Sequence, residues 1–304
     1  MKPVVTNPAA FQTDEPPALS DYGHMLLAEG DSWFTLGSLN VPQNSNLLYA
    51  LELQTSTIIV NCAYPGDALR RMVDGINDRD FDRVLRKRNF ATFWHAIVVS
   101  AGGNDLIAAA QLPVHNAAGK PAPLDARLLL TPAEAATVNP AAPQGGRYVS
   151  EAGWAKLEGF LLANFRALVS RRDEGPSKGR PLLLHTYSVP TVWAKGTVGA
   201  KNGWLFPALQ AAGIPSPDQQ AVADELFGRL RSLLLSLAAD SGHANALPAV
   251  HVFDSAGAVV LDKPKPGLPG MKCDWVNEIH PNKSGYKKLG AAMGPWMEGI
   301  LNAL

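Results

Sequence analysis

The chain has 304 residues, 46% of them hydrophobic and 18% charged, and its 27 basic residues balance its 27 acidic ones. That composition is globular rather than disordered. The zero balance speaks against a main role on nucleic acid or on an anionic membrane surface, and no apolar run nears the roughly 18 residues that cross a bilayer.

Residues 1–22 lack the apolar stretch of a cleaved signal peptide and read as a flexible arm. Cytoplasmic residence is the default expectation, with signal-independent export left open. Residues 23–304 read as a single domain. Short apolar runs follow one another, each closed by turn residues. Residues 25–28 (MLLA) stop at Glu29-Gly30-Asp31, and residues 57–63 (TIIVNCA) stop at Tyr64-Pro65-Gly66. Residues 96–101 (AIVVSA) stop at Gly102-Gly103, residues 181–187 (PLLLHTY) end near Pro190, and residues 249–254 (AVHVFD) end at Ser255-Ala256-Gly257. Their length and bounding turns fit buried strands. Helical spacing lies between them. Trp154, Leu157, Leu161, Phe165 and Leu168 form one stripe, and Val222, Leu226, Leu230, Leu233, Leu234 and Leu237 another. Residues 67–76, 81–89 and 284–304 are further helix candidates. The alternation predicts βαβ units and a mostly parallel sheet covered on both faces. Two long segments, about 106–150 and 190–217, read as loop insertions at one end of that sheet, and such loops often carry function.

Ligands of open α/β sheets bind beyond the carboxyl ends of the strands. The residues there are Gly30-Asp31-Ser32, Pro65-Gly66-Asp67 and Gly103-Asn104-Asp105, and His280-Pro281 precedes the last helix. A serine at a strand-to-helix turn is exposed at the sheet edge, next to free N–H groups that favour negative charge. Its hydroxyl is a weak nucleophile until a base takes the proton, and imidazole, which titrates near neutrality, is the natural base. The backbone N–H groups of Ser32 and Gly66 and the side-chain amide of Asn104 could together receive an oxyanion. Gly66 suits that role because no Cβ blocks approach to its amide.

The four stretches AEGDSWF, AYPGD, SAGGND and NEIHPNKSGY, in that order, resemble the blocks of the SGNH (GDSL-type) hydrolases, over about residues 25–300. The resemblance implies a three-layer α/β/α sandwich with a flavodoxin-like, parallel, five-stranded sheet. It implies a serine esterase or lipase with Ser32 as nucleophile, His280 as base and Ser32, Gly66 and Asn104 as oxyanion donors. It implies no metal and no cofactor. Expected substrates are small-molecule, lipid or carbohydrate esters, and the residues do not choose among acyl lipids, lysophospholipids and acetylated sugars. Alternatives from other classes are a non-catalytic ligand-binding module of the same fold and a secreted effector acting on lipid. Oligomeric state is not legible.

One position departs from the family. Where its pattern has Asp three residues before the histidine, this chain has Asn277. The acid normally fixes the imidazole tautomer. Asn277 is the positional match, Asp274 the favoured charged partner, Glu278 a third candidate, and a Ser–His dyad helped by a backbone carbonyl is also open. Trp33, Trp193 and Trp204 are expected to contact substrate. Cys62 and Cys273 are too few for a disulfide framework, lack metal-site spacing, and read as free, at least half-buried thiols.

Overall fold

In a computed structural model, residues 1–35, 45–75, 79–87, 91–196, 202–265 and 273–304 are described. The strands are β1 (Val4–Thr6), β2 (His24–Gly30), β3 (Thr57–Asn61), β4 (Ala96–Ser100), β5 (Leu182–His185) and β6 (Val250–Phe253). All pair in parallel, in the order β1-β3-β2-β4-β5-β6. The five strands read from the sequence are β2 to β6, and their order is the flavodoxin-like one, in which the chain reverses direction at β2. The sheet has six strands rather than five. The extra one comes from the segment read as an arm: Val4, Val5 and Thr6 pair with Ile58, Ile59 and Val60. This pairing covers the edge that β3 would otherwise expose.

The described helices are α1 (Leu47–Ala50), α2 (Leu69–Met72), α3 (Arg79–Arg86), α4 (Gly103–Ala110), α5 (Pro132–Val138), α6 (Glu151–Asp173), α7 (Leu205–Ala211), α8 (Ser216–Ser236), α9 (Ser255–Ala258) and α10 (Lys283–Leu301). Of the helix candidates at 67–76 and 81–89, Ile76, Arg88 and Asn89 lie outside the described residues. Helix α10 packs against α1 and α9, while α6 is met by α2, α3 and α4, and α8 by α4 and α7. With right-handed crossovers these two groups lie on opposite faces of the sheet. The stripes behave as their spacing requires. Trp154, Leu157, Leu161, Phe165 and Leu168 are buried on α6, and Val222, Leu226, Leu230, Leu233 and Leu234 on α8.

The two long segments carry structure of their own. In the first, Thr131 and Glu134 form a capping box at the start of α5. Arg127, almost wholly buried, bonds Glu134 through both terminal nitrogens at 2.7 and 2.5 Å. That hydrogen bond is the main reason the Glu134 carboxyl is lowered to about 2. Bidentate pairing of this kind fixes geometry as well as charge. The second segment contains α7; its residues 197–201 lie outside the described ones.

Candidate active site

Register sets the site. Gly30 pairs with Ser100 and Val99 with Leu184, so the carboxyl ends of β2, β4 and β5 come level. Asp31, Ser100 and Tyr187 therefore meet just beyond the sheet. Asp31 is buried; its Oδ1 accepts from Ser100 Oγ at 2.8 Å and from the Trp33 N–H at 2.9 Å, and its Oδ2 from Tyr187 Oη at 2.6 Å. Burial pushes its carboxyl up to about 6, against the lowering by the Tyr187 hydrogen bond. The same burial, with the Asp31 charge next to it, pushes Tyr187 well above its usual range. This network pins the turn that follows. The Phe34 N–H donates to the Asp31 carbonyl at 3.1 Å. No described helix begins at Ser32, since residues 32–34 form a turn and residues 36–44 lie outside the described ones.

Ser32, half-buried, places its Oγ 2.7 Å from His280 Nε2, across 248 residues of sequence. On the other side of the ring, His280 Nδ1 lies 2.9 Å from Asn277 Oδ1. The same oxygen accepts the backbone N–H groups of Ile279 at 3.2 Å and His280 at 2.9 Å. Those two donors decide which way round the Asn277 amide sits, because its NH2 group would oppose them. The oxygen then also faces Nδ1, so Nδ1 carries the ring proton and Nε2 offers its lone pair to the Ser32 hydroxyl. Burial lowers the imidazole to about 4, so the ring is neutral at pH 7.

The two acidic neighbours are engaged elsewhere. Asp274, the charged partner favoured from the sequence, accepts from Lys288 Nζ at 2.6 Å and from the Asp262 N–H at 2.8 Å, through the same oxygen. Burial works to raise its carboxyl, and the Lys288 hydrogen bond together with lesser ones outweighs that and leaves it lowered. Lys288 lies one turn inside α10, at a spacing the local sequence gives no reason to single out. Glu278 accepts the N–H groups of Leu205 and Phe206 at 2.8 Å each, of Trp193 at 3.4 Å, and of Trp204. It thus ties down the start of α7, and burial raises its carboxyl despite these donors.

Asn104 sits in the first turn of α4, whose preceding residue, Gly102, has φ of 102°. Its Nδ2 gives one hydrogen to the Asp67 carbonyl at 2.9 Å and keeps a second. That bond, with Tyr64 N–H to Gly30 carbonyl at 2.9 Å, holds the 64–67 turn against the end of β2. Gly66 in that turn is exposed with φ of 80°, a conformation that favours glycine. Among the described residues, the N–H groups of Ser32 and Gly66 have no acceptor.

A cavity of about 20 Å3 adjoins Ser32 and Asn104; its walls include Ile107, Tyr187, Ser188 and Phe227. The expected tryptophans divide. Trp33 is 3% exposed, stacked on His185 at 5.5 Å and edge-on to Tyr187 and Tyr286, with its Nε1–H on the Ile279 carbonyl at 3.2 Å. Its ring packs into the core beneath the site, and Trp33 is also among the residues that line the cavity. Trp204 is half-buried and packs edge to face with the His280 ring at 5.3 Å. Trp193 is half-buried under Lys195, whose Nζ is 4.6 Å from its ring, and does not line the cavity. Cys62 and Cys273 form no disulfide among the described residues, and both are half-buried. Among the described residues no group of three or more His, Cys, Asp or Glu could hold a metal, and no helix is long and apolar enough to cross a membrane.

Sequence reasoning missed Tyr187 and Ser100 as partners of Asp31, although both stand at strand ends, where the carboxyl-end rule directs attention. It also missed Phe227 and Ser188, which reach the cavity from α8 and from the segment after β5 with no motif to mark them.

No family model and no curated protein sequence matches the chain. Among solved structures it is similar to an extracellular lipase from Streptomyces rimosus (16% identity, 92% of this chain and 99% of that one, TM-score 0.43). It is also similar to a carbohydrate acetylesterase family member from Sinorhizobium meliloti (14%, 92% and 99%, TM-score 0.45). A third similar structure is a phospholipase A1 from Streptomyces albidoflavus (14%, 92% and 98%, TM-score 0.43). Likeness this distant leaves activity and substrate to the geometry of the site itself.

Proposed function

We propose that the chain is an SGNH-type serine hydrolase that cleaves carboxylic esters through an acyl-enzyme. The observation that carries this reading is the hydrogen-bonded line Ser32 Oγ, His280 Nε2, His280 Nδ1, Asn277 Oδ1, at 2.7 and 2.9 Å. His280 takes the Ser32 proton on Nε2 as Oγ attacks the ester carbonyl. The Nδ1–H bond to Asn277 Oδ1 holds the ring in the tautomer that can do so, and that oxygen's dipole stabilises the imidazolium that forms. The carbonyl oxygen, now negative, is received by the unspent N–H groups of Ser32 and Gly66 and by the second Asn104 amide hydrogen. His280 returns its proton to the departing alcohol. Water, deprotonated by the same nitrogen, then frees the acid and restores Ser32. A neutral Asn in place of Asp leaves nucleophile, base and oxyanion donors in position, and lowers only the support given to the charged imidazole.

Incubation with a fluorophosphonate, followed by peptide mass mapping, tests the reading. One adduct on Ser32, lost in His280→Ala, is the expected result. No adduct under conditions that label a control esterase would leave a binding module of the same fold.

A further inference from the structure

We propose that this site selects esters of short acids, with acyl groups of two to three carbons, and that Phe227 and Ile107 set that limit. The inference rests on the esterase reading above and goes on to name the substrate class.

The acyl and alcohol halves of an ester must leave Ser32 in different directions. The alcohol oxygen has to face His280 Nε2, which returns the proton to it. His280 is flanked by Trp204, and neither residue lines the cavity beside Ser32. The carbonyl oxygen points toward Asn104 and the free N–H groups of Ser32 and Gly66. Among the described residues, the space left beside Ser32 for the acyl chain is the cavity. Its wall is set by α4 and α8. Ile107 lies three residues after Asn104, on the same face of α4. Phe227, 4% exposed, comes across from α8, and Pro190 and Ile279 complete an apolar lining.

The volume decides the size class. About 20 Å3 is open to the centre of a water-sized sphere, somewhat more than such a sphere's own volume of roughly 10–15 Å3. A methyl or ethyl group fills it. A longer chain meets Phe227 and Ile107, both buried in close packing, and interiors of that kind do not yield a methylene without strain. Ser188, from the segment after β5, adds a hydroxyl to this wall. It lines the cavity and is 6% exposed, and its Oγ has no hydrogen-bond partner among the described residues.

The test is a chain-length series on the purified full chain: p-nitrophenyl acetate, butyrate, hexanoate and octanoate, each rate normalised to spontaneous hydrolysis. Since one methylene in an apolar pocket is worth about tenfold or more, kcat/KM for acetate should exceed that for octanoate by at least about 100-fold. Phe227→Ala should raise the octanoate-to-acetate ratio at least about tenfold, and the milder Phe227→Leu should move it the same way with the fold kept. Thermal unfolding reports which variants fold; if neither does, the wild-type series decides alone. Octanoate turned over as well as acetate by the wild type would overturn the inference while leaving the esterase reading intact. So would an unchanged ratio in two folded variants. No turnover of any ester together with no fluorophosphonate adduct would instead remove the esterase reading, and this inference with it.

Discussion

The turn that carries Ser32 and the loop that carries His280 treat charge in opposite ways. Beside Ser32, a carboxylate is buried: Asp31 sits under the turn, held by Tyr187, Ser100 and the Trp33 N–H. Beside His280, where a carboxylate would serve the proposed chemistry, two are present and neither faces the ring. Asp274 is committed to Lys288 and Glu278 to the start of α7, and the neutral Asn277 takes the position against Nδ1. The difference teaches that acidic residues near an imidazole are not interchangeable supports. In this loop the charged ones fix the backbone, and the hydrogen-bond acceptor that fixes the tautomer carries no charge.

The comparison breaks most completely at its two ends. Ser32→Ala and His280→Ala should each lower ester kcat by about 10⁴-fold or more, since groups that act as a unit fail together; retention of a tenth of the activity in either would remove both regions from the chemistry. Asn104→Ala removes one of the proposed oxyanion donors and should cost about 10²–10³ in kcat, with KM changed far less.

The base loop is sharpened by pairing two variants. Asn277→Asp puts a carboxylate against Nδ1, which favours the imidazolium. Its kcat/KM should rise several-fold at pH 8, and the acid limb of its pH profile should move up from about 4, the position burial gives the wild-type ring. Asp274→Ala should leave kcat within about threefold while lowering the melting temperature, because it frees Lys288 and the Asp262 N–H rather than the ring. A larger loss of kcat in Asp274→Ala than in Asn277→Ala would reverse the assignment.

The smallest effect concerns stability against pH, where the two regions pull in opposite senses. His280 has its folded value lowered to about 4 from an ordinary 6.5. Its contribution is present above 6.5 and is lost as pH falls toward 4, because the unfolded chain binds the extra proton. Asp31 has its folded value raised to about 6 from 3.8. Its contribution is present below 3.8 and is lost as pH rises through 6. Urea midpoints between pH 4 and 6 should therefore climb more steeply with pH in Asp31→Asn than in the wild type, and less steeply in His280→Ala. Equal slopes in all three proteins would show that neither burial is maintained in solution.

Much of this was legible in the residues. Strands β2 to β6 announce themselves because each is a short apolar run with β-branched or leucine-rich content between turns. Ser32 and Asn104 are legible because the carboxyl-end rule directs attention to strand ends, and His280 because it stands just before the last helix in a stretch that resembles a family block. Strand β1 is not, since Val4-Val5-Thr6 is too short to show a period and is defined only by pairing with β3. Asp274 misleads for a different reason. Charge and loop position favour it, but its partner Lys288 is 14 residues further on, inside a helix, and competition of that kind exists only in three dimensions. Trp33 is legible only in part: adjacency to Ser32 places it at the cavity, but the stacking of its ring on His185 in the core has no sign in the local sequence. Asn277 is readable as a positional match, but the three donors that orient its oxygen are not.

The tautomer of His280 is the most direct test of the account. Nitrogen-15 NMR of histidine-labelled protein, with His280→Gln to assign the ring, reads it without any substrate. The account predicts a neutral ring at pH 7 with the proton on Nδ1 and a bare Nε2. A proton on Nε2, or a ring already charged at pH 7, would contradict it.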